Sequence, residues 1–229
     1  MRNLLKENAK SAIWLIHLFF FLLFFFIPSY NFYQLRLPAL DFGIANQALY
    51  SYAGFHDYPS TLILQREQMP YLSLHFSLWV PILSPFSYLF GGYTLLLFQS
   101  LALVFAGFFI QKIAEHFQLN QAMQVVIVLQ FYSIWAIYAA IADGFHDNTI
   151  AACFVPALFW SFIRFNRTLL FFSFFSILIS KENMAIWMPA LLLSFLLLTD
   201  KPKKLFPLFV VRIGIYVVFL FLGTQVIIP

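Results

Sequence analysis

Ionisable residues are scarce in this sequence, and several of them fall in one short segment between two apolar runs. The segment Ile141–Ala151 reads IADGFHDNTIA and contains Asp143, His146 and Asp147. Carboxylates and imidazoles can act as general acids or bases, and their oxygen and nitrogen atoms can bind metal ions. The spacing is not a specific catalytic motif, so a structural interpretation stays open for Asp147, which could begin a helix and stabilise its dipole.

Three further segments carry groups of the same kinds. DFGIANQ contains Asp41 and Gln47, LSLHFSLW contains His75, and SKENMA contains Lys181 and Glu182. A carboxylate can take a proton from an attacking hydroxyl, and lysine or histidine can bind a phosphate leaving group. A pair of carboxylates can hold a divalent cation through oxygen ligands.

These residues also have structural interpretations. Asp41 could cap a short helix that lies on the membrane, and His75 could be a hydrogen-bonded histidine at the membrane surface. Lys181 and Glu182 could form a surface ion pair at the start of a helix. A shared chemical role requires that the four segments meet, and this depends on the helices that connect them.

The composition is that of a multi-pass membrane protein. Of the 229 residues, 62% are hydrophobic and 10% are charged, whereas about a quarter of a soluble domain is charged. The single cysteine, Cys153, lies in an apolar run, which excludes a disulfide framework and a cysteine-based metal site. The basic residues form short clusters between apolar runs, so the net charge of +4 does not indicate nucleic-acid binding.

Apolar runs of spanning or near-spanning length recur along the chain, and we interpret them as transmembrane helices. The runs are Ala12–Tyr30, Tyr93–Gln111, Gln121–Ala142, Thr149–Ile163, Thr168–Ser180, Met184–Leu198 and Leu205–Ile228. We therefore expect an all-α membrane protein with about seven transmembrane helices, in which residues 1–229 form a single polytopic membrane domain. The chain ends directly after the last run. A relative of a longer protein that is truncated at its C-terminus would have the same arrangement, so this interpretation also stays open.

The apolar stretch Leu72–Phe90 decides which loops share a side of the membrane. Pro81 and Pro85 disfavour a regular helix, so we expect this stretch to lie at the interface without crossing. The N-terminus and most basic residues then face the cytoplasm, in agreement with the positive-inside rule. Residues 31–92 become a long first extracytoplasmic loop with membrane-parallel helices, and all four polar segments lie on the outer side.

Taken in order, four motifs of this chain resemble those of an uncharacterised family of bacterial predicted membrane proteins, domain of unknown function 2079. The motifs are DFGIANQALYS, HFS, GFHDNTIA and SKENMAIWMPALLL, and they extend from about Pro38 to Leu198. The chain departs from the family pattern at Leu74, where an acid is usual, at Asp147, where proline is usual, and at Asn183, where aspartate is usual. The missing acid before His75 weakens the case for a metal there.

That family is in turn similar to the GT-C type of integral-membrane glycosyltransferases, which transfer sugars from polyprenyl-phosphate carriers on the outer face of the membrane. The resemblance implies an inverting transferase in the bacterial inner membrane, with membrane lipid and a polyprenyl-phosphate sugar donor as partners. It implies that Asp41 is the catalytic base and that Lys181 and Glu182 also take part in catalysis. A divalent cation is the candidate cofactor, and the candidate substrate-binding residues are Gln47, His75, His146 and Asp147.

Two other functions stay open. A transporter or lipid flippase would place ionisable groups deep in its helices, and the candidates are His17 and Arg212. Both residues are nearer the cytoplasmic end, where a long side chain can readily extend toward water. A non-catalytic membrane subunit would require no chemical role for the polar segments.

Overall fold

The computed structural model describes residues 2–62 and 69–198, together with residues 214 and 218, and this part of the chain is helical without strands. The helices are α1 (Arg2–Tyr33), α2 (Ile44–Ala53), α3 (Tyr71–Leu74), α4 (Trp79–Leu83), α5 (Ser87–Phe90), α6 (Thr94–His116), α7 (Gln121–Tyr132), α8 (Trp135–Ala142), α9 (Asp147–Ile163), α10 (Arg167–Leu178) and α11 (Met184–Leu198). The all-α class is therefore confirmed over the described residues. Of the seventh apolar run, Leu205–Ile228, all but two residues lie outside them.

The helix lengths are consistent with a membrane protein, but they support fewer spans than the seven we predict. Two described helical stretches, Ser11–Tyr33 and Trp79–His116, are long and apolar enough to cross a bilayer. A third span results if α7 and α8, which are bent by 41° at their junction, are taken together. The helices α9, α10 and α11 are apolar but shorter than a usual span.

The long helices run alternately up and down, so their ends collect in two groups. At one end, Asn31 at the end of α1 donates to the carbonyl oxygen of Ala142 at the end of α8. At the opposite end, the ring of His116 in α6 lies against the ring of Trp160 in α9. We call the first group of ends, with the connections Asp143–His146 and Ile179–Asn183, the rim.

The ambiguous stretch Leu72–Phe90 forms short helices, and the part near its start contacts the rim. Near its start, the indole nitrogen of Trp79 donates to Ser180, which follows α10. Near its end, the hydroxyl of Tyr88 donates to the carbonyl oxygen of Ala53 at the end of α2. Gly91, with φ of 57° and ψ of −141°, breaks the helical run before α6 begins. The start of this stretch thus contacts the rim, and its end contacts α2.

Aromatic side chains form much of the core between α1, α6 and α7. Tyr132 is fully buried, and its ring stacks on Phe20 with 4.6 Å between centroids. Gly107 in α6 allows this close approach, because a Cβ atom there would lie 2.1 Å from the Tyr132 hydroxyl. Other phenylalanines, such as Phe19 and Phe171, are exposed on the surface of the bundle. The abundant phenylalanine thus serves both helix packing and the outer surface.

His17 is buried inside the bundle, and its side chain does not extend toward water. It is 2% exposed, with Nδ1 2.6 Å from the Tyr132 hydroxyl and Nε2 3.0 Å from Oε1 of Gln111. The partners on α6 and α7 satisfy both ring nitrogens inside the bundle, which removes the need to reach water. Arg212 lies outside the described residues.

Candidate functional site

A cavity of about 330 Å³ opens at the rim, and four separate segments of the chain line it. We call it the rim cavity. Its ionisable lining residues are Asp41, Tyr71, His75, His146, Asp147 and Lys181. Five of the seven predicted site residues therefore line one cavity, although they lie up to 140 positions apart in the sequence (181 − 41). The exceptions are Gln47 and Glu182.

Asp41 lies in a π-helical turn, Ala39–Gly43, directly before α2. Single π-turns are rare and often occur at functional sites. The positions before this turn and before α2 are held by Pro38 and Gly43, and neither helix start is capped by a side chain. Asp41 is therefore not the helix cap that the structural interpretation required, and its exposed carboxylate faces the cavity.

The ring of Phe42 fixes this turn against the bend that contains His146. Phe42 is 3% exposed and packs edge-on against Phe32 at the end of α1, with 5.3 Å between ring centroids. On its other side lies Gly144, where a Cβ atom would be 3.1 Å from the Phe42 ring. Gly144 also has φ of 103°, a conformation that side-chain-bearing residues rarely adopt. The first loop and the bend are thus held together where Asp41 and His146 enter the cavity.

Gln99 in α6 sets the shape of the bend itself. Its Nε2 donates to the carbonyl oxygen of Gly144, and its Oε1 accepts from the backbone nitrogen of His146, both at 2.7 Å. Gln99 is 1% exposed, so these backbone groups are paired away from water. Sequence reasoning missed Gln99, although a polar residue inside an apolar helix is a usable signal of a structural or functional contact.

Asp147 is a buried carboxylate held by two hydroxyl groups from the first loop. It precedes the predicted spanning run Thr149–Ile163 and is 9% exposed. Ser77 donates to its Oδ1, and Tyr71 donates to its Oδ2 at 3.3 Å. Burial raises the pKa of Asp147 above its usual value, against the lowering effects of the Ser77 hydroxyl and the Lys181 charge. Neither Tyr71 nor Ser77 was predicted, although both flank His75 in YLSLHFS.

Glu182 is bound to the segment that contains His75. Its Oε2 accepts from the backbone nitrogen of Phe76 at 3.0 Å, and its Oε1 lies 3.8 Å from Nδ1 of His75. Burial by itself would raise the pKa of Glu182, but the nearby His75 and hydrogen bonds from backbone amides lower it. The surface ion pair between Lys181 and Glu182 is absent from the described ion pairs, in which Glu182 has His75 as its partner.

Lys181 lines the rim cavity and forms no salt bridge with a described carboxylate. Its charge nevertheless acts on Asp147, where it partly offsets the rise in pKa that burial causes. A lysine in this position can bind an incoming anion such as a phosphate.

Gln47 contacts the loop after α2 instead of the rim cavity. Its Oε1 accepts from the hydroxyl of Ser60 at 3.1 Å and from the backbone nitrogen of Thr61 at 3.2 Å. These bonds connect α2 to residues 60–61. The structure thus gives Gln47 a local contact, and a role in substrate binding stays a prediction.

Within the described part of the chain, no three histidine, cysteine, aspartate or glutamate side chains are arranged to hold a metal ion. The two rim-cavity carboxylates differ in environment, since Asp147 is already occupied by two hydroxyls whereas Asp41 is exposed. These residues do not fit a site with several protein ligands, and a divalent cation at this site stays a prediction.

Comparison with known proteins identifies the family of the chain but no characterised relative. No curated protein and no solved structure matches it. A family model described as "Predicted membrane protein (DUF2079)" matches residues 31–229, which include every residue of the rim cavity. The resemblance seen in the four motifs is thereby confirmed, and the chain belongs to the predicted membrane protein family DUF2079.

Proposed function

We propose that this protein is a membrane glycosyltransferase that uses a polyprenyl-phosphate sugar as donor. One observation carries the proposal: an exposed carboxylate, two imidazoles and a lysine line the same cavity at one end of a bundle of apolar helices. These are the groups that a transfer from a phosphate leaving group requires, namely a base for the acceptor and hydrogen-bond donors for the phosphate.

The reaction is a single displacement. The hydroxyl oxygen of the acceptor attacks the anomeric carbon, and the bond between that carbon and the phosphate oxygen breaks. The electron pair leaves with the polyprenyl phosphate, and the proton of the hydroxyl goes to the carboxylate of Asp41. Attack from the face opposite the leaving group inverts the anomeric configuration. Lys181 and His146 stabilise the negative charge on the departing phosphate.

The two carboxylates of the cavity have different tasks in this mechanism. Asp41 is exposed and can accept a proton directly from a bound hydroxyl. Asp147 accepts hydrogen bonds from Ser77 and Tyr71, so its task is to position the first loop and not to accept the proton. Glu182 acts in the same way through the backbone of Phe76 and through His75.

The rim lies on the outer side of a bacterial inner membrane in this proposal, with the N-terminus in the cytoplasm. The contact of Trp79 with Ser180 at the rim, and that of Tyr88 with α2, support a stretch Leu72–Phe90 that returns to the side it came from. If this stretch does not cross, Asp41 and Lys181 face the same compartment, where lipid-linked sugars are consumed by enzymes of the GT-C type.

A substitution of Asp41 tests the proposal. The protein is reconstituted into proteoliposomes and supplied with radiolabelled polyprenyl-phosphate sugars and a mixture of candidate acceptors. Asp41→Asn is expected to lower transfer by about 100-fold or more, the usual contribution of a general base. The matched control is Asp57→Asn, because Asp57 is exposed in the same loop, bonded to Tyr52 and outside the rim cavity.

The outcomes separate the parts of the proposal. Normal transfer by Asp41→Asn removes Asp41 from the role of base. Equal losses in the Asp41 and Asp57 variants point to damage of the loop and not to lost chemistry. Absence of transfer from every donor by the wild-type protein contradicts the glycosyltransferase assignment.

A lipid flippase is the second candidate, and the buried His17 favours it. The contacts of His17 with Tyr132 and Gln111 continue through Gln111 Nε2 to Glu115, at 2.8 Å, and form a polar path inside the bundle. Ionisable groups at this depth often serve transport. The test is the rate at which fluorescent polyprenyl phosphate becomes accessible to dithionite in proteoliposomes. Movement that depends on His17 but not on Asp41 favours the flippase.

A further inference from the structure

A second cavity, of about 280 Å³, lies between α6, α8 and α9. Its walls are almost entirely apolar and include Leu103, Phe131, Ile137, Ala140 and Ala152. Ala136 on α8 and Ala152 on α9 also line it and are exposed, so the cavity opens sideways from the bundle. We call it the side groove.

The side groove adjoins the rim cavity at the start of α9. Asn148 lines both cavities, and its neighbours divide between them. Asp147 faces the rim cavity, whereas Thr149 faces the side groove. A cavity that contains a lysine and two histidines thus shares one lining residue with an apolar one.

A break between two helices borders the side groove. Helix α7 ends at Tyr132, α8 begins at Trp135, and their axes differ by 41°. Ile134 between them has an extended conformation, with φ of −62° and ψ of 118°, and neither Pro nor Gly is present to force the break. Non-helical backbone within a membrane is tolerated where it is covered by protein or borders a cavity. Phe131 and Ala136, on the two sides of this break, both line the side groove.

We propose that the side groove holds the hydrocarbon chain of the donor lipid while its phosphate lies in the rim cavity. This inference rests on the proposed function for the identity of the head group. The lipid enters sideways between α8 and α9, its chain lies along Ala136, Ala140 and Ala152, and its phosphate passes Asn148 to reach His146 and Lys181.

The chemistry of the two compartments supports this occupant over others. A water-soluble nucleotide sugar would make no use of an apolar groove, whereas an amphiphile matches both halves. Lys181 and His146, whose side chains can bind a phosphate, line the rim cavity on the other side of Asn148, where a lipid phosphate would lie. Small side chains on facing helices, Ala140 and Ala152 among them, leave the space in which a chain can pack.

Photolabelling with filled-groove variants tests the inference. The full-length protein in phospholipid nanodiscs is irradiated with a polyprenyl phosphate that carries a diazirine on its chain, and labelled peptides are mapped by mass spectrometry. Labels are expected on α8 and α9 around Ala136, Ala140 and Ala152. Ala136→Phe fills the groove and is expected to reduce this labelling by about tenfold, a loss of about 1.4 kcal/mol of binding free energy. Ala139→Phe is the matched control, since Ala139 is exposed on the same helix but does not line the groove.

Each outcome decides one question. Labelling that is absent from the groove, or equal in the Ala136 and Ala139 variants, overturns the proposal. The proposal is also overturned if an equal amount of photoreactive phosphatidylglycerol completely displaces the polyprenyl-phosphate label, because the groove would then hold bulk lipid only. Groove labelling without any sugar transfer retains the lipid site and contradicts the proposed function. Sugar transfer without groove labelling contradicts the lipid site alone.

Discussion

The amide group of Gln99 binds both sides of the bend between α8 and α9. It donates to the carbonyl oxygen of Gly144 and accepts from the backbone nitrogen of His146, and both distances are 2.7 Å. One side chain from α6 thereby fixes the backbone that presents His146 and Asp147 to the rim cavity. The bend depends on a residue more than forty positions earlier in the chain, as the separation of 47 between Gln99 and His146 shows.

Replacement of Gln99 by leucine is expected to destabilise the protein and to disturb the rim cavity. The change keeps the size of the side chain but leaves a backbone carbonyl and a backbone amide without their partner, at about 1–3 kcal/mol for each buried group. Thermal unfolding in detergent measures the effect. Gln124→Leu is the control, because the amide of Gln124 makes a single bond to Leu119 on a less buried face of α7. Equal melting temperatures for the Gln99 variant and the wild type would contradict this account of the bend.

Substitution of Gly144 by alanine tests the contact between the bend and the first loop. A Cβ atom at position 144 meets the ring of Phe42 at 3.1 Å and requires φ of 103°, so we expect a loss of about 1–3 kcal/mol in stability. The double variant Phe42→Ala, Gly144→Ala separates these causes. If the ring contact matters, the combined loss is smaller than the sum of the single losses. Strict additivity would leave backbone strain as the whole cause.

Much of the helical framework follows from the sequence, because each long apolar run can satisfy its backbone hydrogen bonds only within itself. The run Gln121–Ala142 shows the limit of this reasoning. It is one apolar segment in the sequence but two helices in the structure, and its break at Ile134 has no Pro or Gly to signal it. Hydrophobic periodicity likewise does not predict the π-helical turn around Asp41.

The convergence of the site could be predicted, but its internal bonds could not. Turns that face the same side of a membrane tend to meet, and this placed Asp41, His146 and Lys181 together. Pairing within the site depends on short side-chain distances that topology does not determine. An ion pair between Glu182 and Lys181 is one interpretation of the sequence, but Glu182 contacts His75. Gln47 is a predicted site residue, but it contacts Ser60. The roles of Ser77 and Tyr71 have no sequence signal, because hydroxyl groups near an interface are common.

The stability of the protein is expected to depend on the protonation of Asp147. Burial raises its pKa in the folded state, so the protonated form is favoured by folding. Asp147 therefore contributes fully to the free energy of unfolding below its unfolded-state pKa of about 3.9. This contribution is lost as the pH rises through the higher folded-state pKa. Asp147→Asn should flatten this part of the profile and should be at least as stable as the wild type at neutral pH. Unfolding curves between acidic and neutral pH measure both effects, and a variant whose profile keeps the wild-type slope would show that another group is responsible.

Substitutions of Glu182 can distinguish a structural role from a chemical one, because glutamine can keep one of the two contacts of Glu182 but not the other. Glu182→Gln retains an oxygen that accepts from the Phe76 amide but loses the charge beside His75. Glu182→Ala loses both, and we expect it to be the less stable variant by about 1–2 kcal/mol, the effect of one unpaired backbone group. Thermal unfolding ranks the variants, and the transfer assay in proteoliposomes follows at a temperature where both are folded. If Glu182 only positions the loop, the glutamine variant retains most of the transfer and the alanine variant does not. If its charge takes part in the reaction, both variants lose transfer alike while their stabilities still differ.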